Sequence, residues 1–137
     1  MEKKKKVFVI CPVRMADTAT RQKLEAYKIK LEAQGYEVHL PHMDTNQHET
    51  GYEICRENVD KIWEAHEVHI FFNPESIGSH FDLGATFLAC SLDENKIIKV
   101  IENTGLTDEH GQMKLPLEKS FGQMIQEWEK KYLVPSV

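Results

Sequence analysis

Short runs of β-branched and aromatic residues alternate along the chain with longer stretches whose apolar positions recur every three or four residues. Val7-Phe-Val-Ile-Cys11, ended by Pro12, predicts a central strand. Thr20, Leu24, Tyr27 and Leu31 then repeat at helical spacing, and Gly35 supplies the stop. Tyr36-Glu-Val-His-Leu40 alternates and ends at Pro41, which predicts a second strand. His42 to Thr50 is polar and reads as a loop. Cys55, Val59 and Ile62 mark a helix between Tyr52 and Ala65. Glu67-Val-His-Ile-Phe-Phe72 gives a third strand, closed by Asn73-Pro74. An apolar helix starts near Gly78, and Lys96-Ile-Ile-Lys-Val-Ile101 follows as a fourth strand. Glu102 to Pro116 reads as irregular. Leu117 to Tyr132 predicts a closing helix whose apolar face (Phe121, Met124, Ile125, Trp128) belongs in the core rather than against a partner.

This βα alternation implies a parallel sheet with helices on both faces. Right-handed crossovers leave few topologies, and the most economical is a flavodoxin-like open sheet of four to five strands. The expected architecture is therefore a single α/β domain spanning residues 1–137. In such a sheet the loops Pro12 to Arg21, Pro41 to Thr50, Asn73 to Asp82 and the start of the Glu102 loop gather at the carboxyl edge. Ligands bind there in open α/β folds.

Composition narrows the function classes. A hydrophobic fraction of 41% and a charged fraction of 28% describe an ordinary globular chain. No apolar run approaches a membrane span and the amino terminus has no signal-peptide pattern, so a cytoplasmic protein without a membrane partner is expected. A net charge of −5 invites no polymeric nucleic acid, and Lys3 to Lys6 reads as the solvated edge of the first strand. Cys11, Cys55 and Cys90 are odd in number and widely spaced, which suits reduced, buried thiols better than disulfides or zinc.

The candidate chemistry centres on Asp82. Asp82, Ala85, Thr86 and Ala89 share one helical face, and three of the four are small, so that face can lie close against the sheet. The carboxylate then sits at the sheet-facing top of its helix. A structural role is also open: Ser79 to Asp82 spells S-x-x-D, the signature of a capping box, with the acid in the first turn. Arg14, just past the first strand, offers a cation to an anionic substrate group or an ion pair to Asp17. Ser76, Gly78 and Ser79 offer hydroxyls and backbone N–H groups to a phosphate, or form a plain Ser/Gly turn. His42 and His48, with Asp44 and Glu49, fit no zinc spacing, so no metal is expected. No dinucleotide fingerprint, Walker A lysine motif or nucleophile elbow is present, and no cofactor is implied.

The run Gly78-Ser-His-Phe-Asp-Leu-Gly-Ala-Thr86 resembles the Gly-Thr-x-x-Glu-Leu-Gly-x-Ala motif of the nucleoside 2-deoxyribosyltransferase family, which includes 2'-deoxynucleoside 5'-monophosphate N-glycosidases. Asp60 with Ala65-His-Glu67 is similar to that family's upstream element, and the likeness spans roughly residues 7 to 101. The resemblance implies N-glycosidic bond cleavage or transfer on a nucleoside or nucleotide. Asp82 takes the nucleophile's place, and Glu67 that of an aspartate that helps hold the substrate or its proton; Arg14, Asp60, Ser76, Gly78 and Ser79 would bind substrate. Such chemistry needs a carboxylate, because an oxocarbenium-like transition state places positive charge on the anomeric carbon. The resemblance also implies a homo-oligomer, since active sites of the family are often completed by a neighbouring subunit. Three departures stand out. Asp82 replaces a Glu, Glu67 replaces an Asp, and Phe8 stands where some members carry a nucleophile-orienting Tyr. A catalytically silent nucleotide-binding sensor and an interaction module of the same fold are the alternative readings.

Overall fold

The computed structural model describes residues 3–106, 108–110, 112 and 119–135. Its elements follow in the order β1 (Lys6–Ile10), α1 (Thr18–Ala33), β2 (Glu37–His39), α2 (Pro41–Asp44), α3 (Gly51–Glu64), β3 (Glu67–Ile70), α4 (Ile77–Leu92), β4 (Ile97–Val100) and α5 (Lys119–Tyr132). The four strands form one open, all-parallel sheet in the order β2-β1-β3-β4. This is the α/β architecture the alternating pattern predicted. A single parallel bridge from Leu133 to Val100 adds the beginning of a fifth strand after α5.

Strand alternation sends neighbouring side chains to opposite faces. Phe8, Ile10, Val68, Ile70, Ile98 and Val100 pack with Ile62 of α3, Leu83 and Ala89 of α4, and Ile125 and Trp128 of α5. Val7, Val9, Cys11, Val38 and Phe71 pack with Leu24 and Leu31 of α1. Thus, among the described residues, α1 covers one face, and α3, α4 and α5 cover the other. The strand order explains this, because the chain moves one way from β1 to β2 and the opposite way thereafter, and right-handed crossovers then fall on opposite faces. The apolar face of α5 does enter the core, and Glu129 ties it to the loop after β4 by accepting from the Thr104 N–H (2.6 Å) and hydroxyl (2.7 Å). The first residues expected for that helix, Leu117 and Glu118, lie outside the described residues.

Helix ends are fixed by local chemistry. Asp17 caps α1 by accepting from the Thr20 N–H at 2.7 Å, rather than pairing with Arg14. At the far end Gly35 adopts φ +95°, the Gly35 N–H reaches the Glu32 carbonyl and the Tyr36 N–H the Leu31 carbonyl. That is a Schellman stop, which needs the left-handed conformation glycine adopts at no steric cost. Lys96, buried after α4, donates to the carbonyls of Ile62, Trp63 and Ala65 and so closes the carboxyl end of α3.

Several boundaries differ from the sequence reading. Lys6 joins β1, the second strand shortens to three residues, and Pro41 opens one helical turn inside the expected loop. In α3 the buried position is Asn58, whereas Val59 faces outward. Cys55 and Cys90 are free but only half-buried, so of the three thiols Cys11 alone is buried as expected.

Candidate functional site

Asp82 is 5% exposed and lies in the second turn of α4, not the first. The expected capping box does not form. Ser76 is the N-cap instead, three residues earlier, and its hydroxyl accepts from the Ser79 N–H at 3.2 Å and from the Ser79 hydroxyl at 2.9 Å. The cap falls one turn earlier than the S-x-x-D spacing predicts, because two serines at the right spacing compete and Asn73-Pro74 sets the chain direction before Ser76. With the cap filled by Ser76, Asp82 is released from its own helix terminus. Its backbone carbonyl accepts from the Thr86 hydroxyl at 2.8 Å.

A relay of three side chains leads to the carboxylate. The His39 Nε2 meets the Thr45 hydroxyl at 2.7 Å, and that hydroxyl donates to Asn58 Oδ1 at 2.8 Å. With the hydroxyl proton committed to Asn58, the ring nitrogen of His39 acts as donor. The remaining amide of Asn58 faces Asp82 and offers it a hydrogen bond. The chain thus runs from β2 through the loop after α2 and α3 to α4. Burial raises the Asp82 carboxyl to about 7, against a smaller downward pull from Asn58. Burial is also the main cause that pushes the Cys11 thiol up to about 12, with the charge of Asp82 adding to it. Burial lowers the His39 imidazole, so that ring is neutral near pH 7. Asp82 has no ion-pair partner among the described residues, so nothing cationic neutralises it.

Glu67 is not brought to Asp82. It opens β3 at the amino edge of the sheet, and its side chain lies on the α1 face with that of His69, two residues on. There it accepts from His69 Nε2 at 2.9 Å and meets Lys99 Nζ at 3.4 Å, while His69 Nδ1 contacts the Tyr27 hydroxyl at 2.6 Å. Burial pushes the Glu67 carboxyl up, but the His69 bond and the Lys99 charge together outweigh it, and the group sits below its ordinary value. Burial likewise lowers His69, against the pull of Glu67. This hydrogen-bonded and ion-paired cluster lies on the opposite face of the sheet from Asp82.

The other expected site residues divide the same way. Arg14 is exposed in the turn after β1, at the carboxyl edge, with no ion-pair partner among the described residues. Gly78 is exposed at the start of α4 with open space where a Cβ would stand. Asp60 points away from the sheet and lines a shallow acidic hollow of about 470 Å³ with Glu53, Arg56 and Glu57. Asn58, two positions earlier on α3, is the polar residue that reaches the core. Its signal was the Cys55–Ile62 spacing, where positions 58 and 59 both fit a helical face and hydrophobicity favoured Val59.

At the carboxyl edge, between the loops after β1, β3 and β4, lies a hollow of about 160 Å³ lined by Pro12, Met15, Lys23, Phe71, Asn73 and Glu102, among others. This is the point where strand order reverses. Lys23 and Glu102 pair across it at 2.9 Å. The hollow is smaller than the roughly 300–1,000 Å³ of sites that enclose a drug-sized ligand, and Asp82 does not line it. Among the described residues no helix is long and apolar enough to cross a membrane. No protein-family model and no curated protein matches the chain.

Proposed function

We propose that the chain cleaves or transfers the N-glycosidic bond of a nucleoside or nucleoside 5'-monophosphate, with Asp82 as the carboxylate that meets the anomeric carbon. The supporting observation is a 5% exposed acid with an amide neighbour and no counter-cation among the described residues. Such a group lowers stability at neutral pH, so packing alone does not account for it, whereas a carboxyl poised near pH 7 suits proton transfer and nucleophilic attack. The ionised Asp82 oxygen attacks the sugar carbon as the carbon–nitrogen bond breaks and the base departs with its electron pair and a proton from solvent. Water or a second base then displaces the ester, which restores the carboxylate. Arg14 and the open amino end of α4 at Gly78, both at the carboxyl edge, favour the phosphorylated substrate.

A nucleotide-binding protein without turnover is the second reading, favoured by the deep burial of Asp82 and by Glu67 lying on the other face. Incubation with a panel of nucleosides and 5'-monophosphates, with chromatography for free base, separates the two. Base release that disappears in Asp82→Ala supports the glycosidase. Thermal stabilisation by the same compounds without release supports the binder, and neither effect refutes both.

A further inference from the structure

The outward face of α4 carries Ile77, Gly78, Phe81, Gly84, Phe87, Leu88, Ser91 and Leu92, and no charged residue among them. Ile77 is 87%, Phe81 48%, Leu88 61% and Leu92 68% exposed, an apolar stripe along the whole helix. A solvated helix ordinarily carries charge on that side. We propose that this face is a two-fold interface in which α4 packs antiparallel against α4 of a second copy of the chain.

Two independent features select a second copy as the occupant. The stripe is palindromic about the Gly84–Ala85 step: Phe81 and Leu88 stand three residues to either side of it, and Ile77 and Leu92 stand seven. Antiparallel pairing therefore sets Ile77 against the other copy's Leu92 and Phe81 against its Leu88, the self-complementarity that a two-fold contact requires. The second feature is Gly84 itself. It occupies an exposed helix interior, where glycine costs about 0.5–1 kcal/mol relative to alanine. Within one chain nothing lies within 4 Å of the Cβ it lacks, so its own fold gives no reason for the absence. A helix crossing over the midpoint supplies one, because small residues there let two backbones approach closely.

Size and charge agree with this occupant. At roughly 100 Å² of accessible surface per large apolar side chain, the stripe and the adjoining Phe87 offer about 500 Å² per copy. Tyr52 and Trp63 on the neighbouring α3 are exposed as well. A pair then clears the ~1,000 Å² of a specific interface. The absence of Lys and Arg on α4 argues against an anionic lipid surface, which interfacial helices meet with basic residues.

Sedimentation velocity of the full chain from about 1 to about 100 µM tests the assignment. The wild type should dimerise, and Phe81→Glu or Leu88→Glu, each buried twice per dimer, should raise Kd about 100-fold or more. Gly84→Gln should weaken the dimer while the melting temperature of the dilute chain holds or rises, and Ile29→Glu, on the outside of α1, should change nothing. A wild type that stays monomeric at about 100 µM overturns the proposal, even if it binds lipid vesicles or another protein. A dimer indifferent to both glutamate variants overturns it too.

Discussion

The two faces of the sheet each bury a carboxylate, and they treat it in opposite ways. On the α1 face Glu67 has a histidine, a lysine and, through His69, a tyrosine, and its carboxyl is held below the ordinary range. On the α3–α4 face Asp82 has the Asn58 amide beside it, and burial raises it to about 7. The first is a charge made comfortable by its neighbours, and the second is one left in tension with its surroundings. Environment rather than residue type separates them, and the proposed chemistry falls to the one without a compensating charge.

The contrast has opposite consequences for stability against pH. Asp82 has a folded pKa above its unfolded 3.8, so the native state holds the extra proton between about 4 and about 7. Its contribution is full below that window and is lost as pH rises through it. Glu67 and His69 both have depressed values, relative to 4.5 and 6.5. Their contribution is present above those values and lost as pH falls.

The largest expected effect is on turnover. Asp82→Ala should cut release of free base by at least ~1,000-fold, measured on a nucleotide substrate by chromatography, while Glu67→Gln leaves the folded fraction's rate within about threefold. If Asp82 attacks as the anion, the wild-type rate rises as pH passes through about 7. A rate that falls there would make it a proton donor instead.

Next in size is stability. Asp82→Asn should stabilise the chain by on the order of 4 kcal/mol at pH 8, and the gain should vanish near pH 4. Denaturant melts across pH would then expose the bare acid-side decline of the Glu67–His69 cluster. Glu67→Ala does the reverse. It leaves His69 and Lys99 without their carboxylate and should cost about 3 kcal/mol at pH 7, a cost that shrinks as pH falls below 4.5. Equal pH profiles for the two variants would erase the distinction between the faces. The smallest effect tests the reassigned cap. Ser76→Ala should lose about 1 kcal/mol, readable in chemical denaturation, whereas an N-cap at Ser79 would leave Ser76 neutral.

Backbone architecture was legible from pattern because strand and helix periods differ and each element is amphipathic along its own length. Pro12, Gly35 and Pro41 punctuate the chain, and parallel order follows from βα alternation. Arg14, Gly78 and Asp82 reach the carboxyl side of the sheet for the same reason, since every loop after a strand must end there.

Which carboxylate meets which partner was not written in local spacing. Glu67 and Asp82 are fifteen positions apart, and whether they meet depends on the sheet face to which each element turns. That is set by strand order, a property of the assembled chain. The same assembly chose Asn58 over Val59 and Ser76 over Ser79, where two adjacent or similarly spaced residues satisfied one pattern equally well. Periodicity can say that a face exists. Only the bodies packed against it fix which polar group is cut off from water, and desolvation is what gives Asp82 its character.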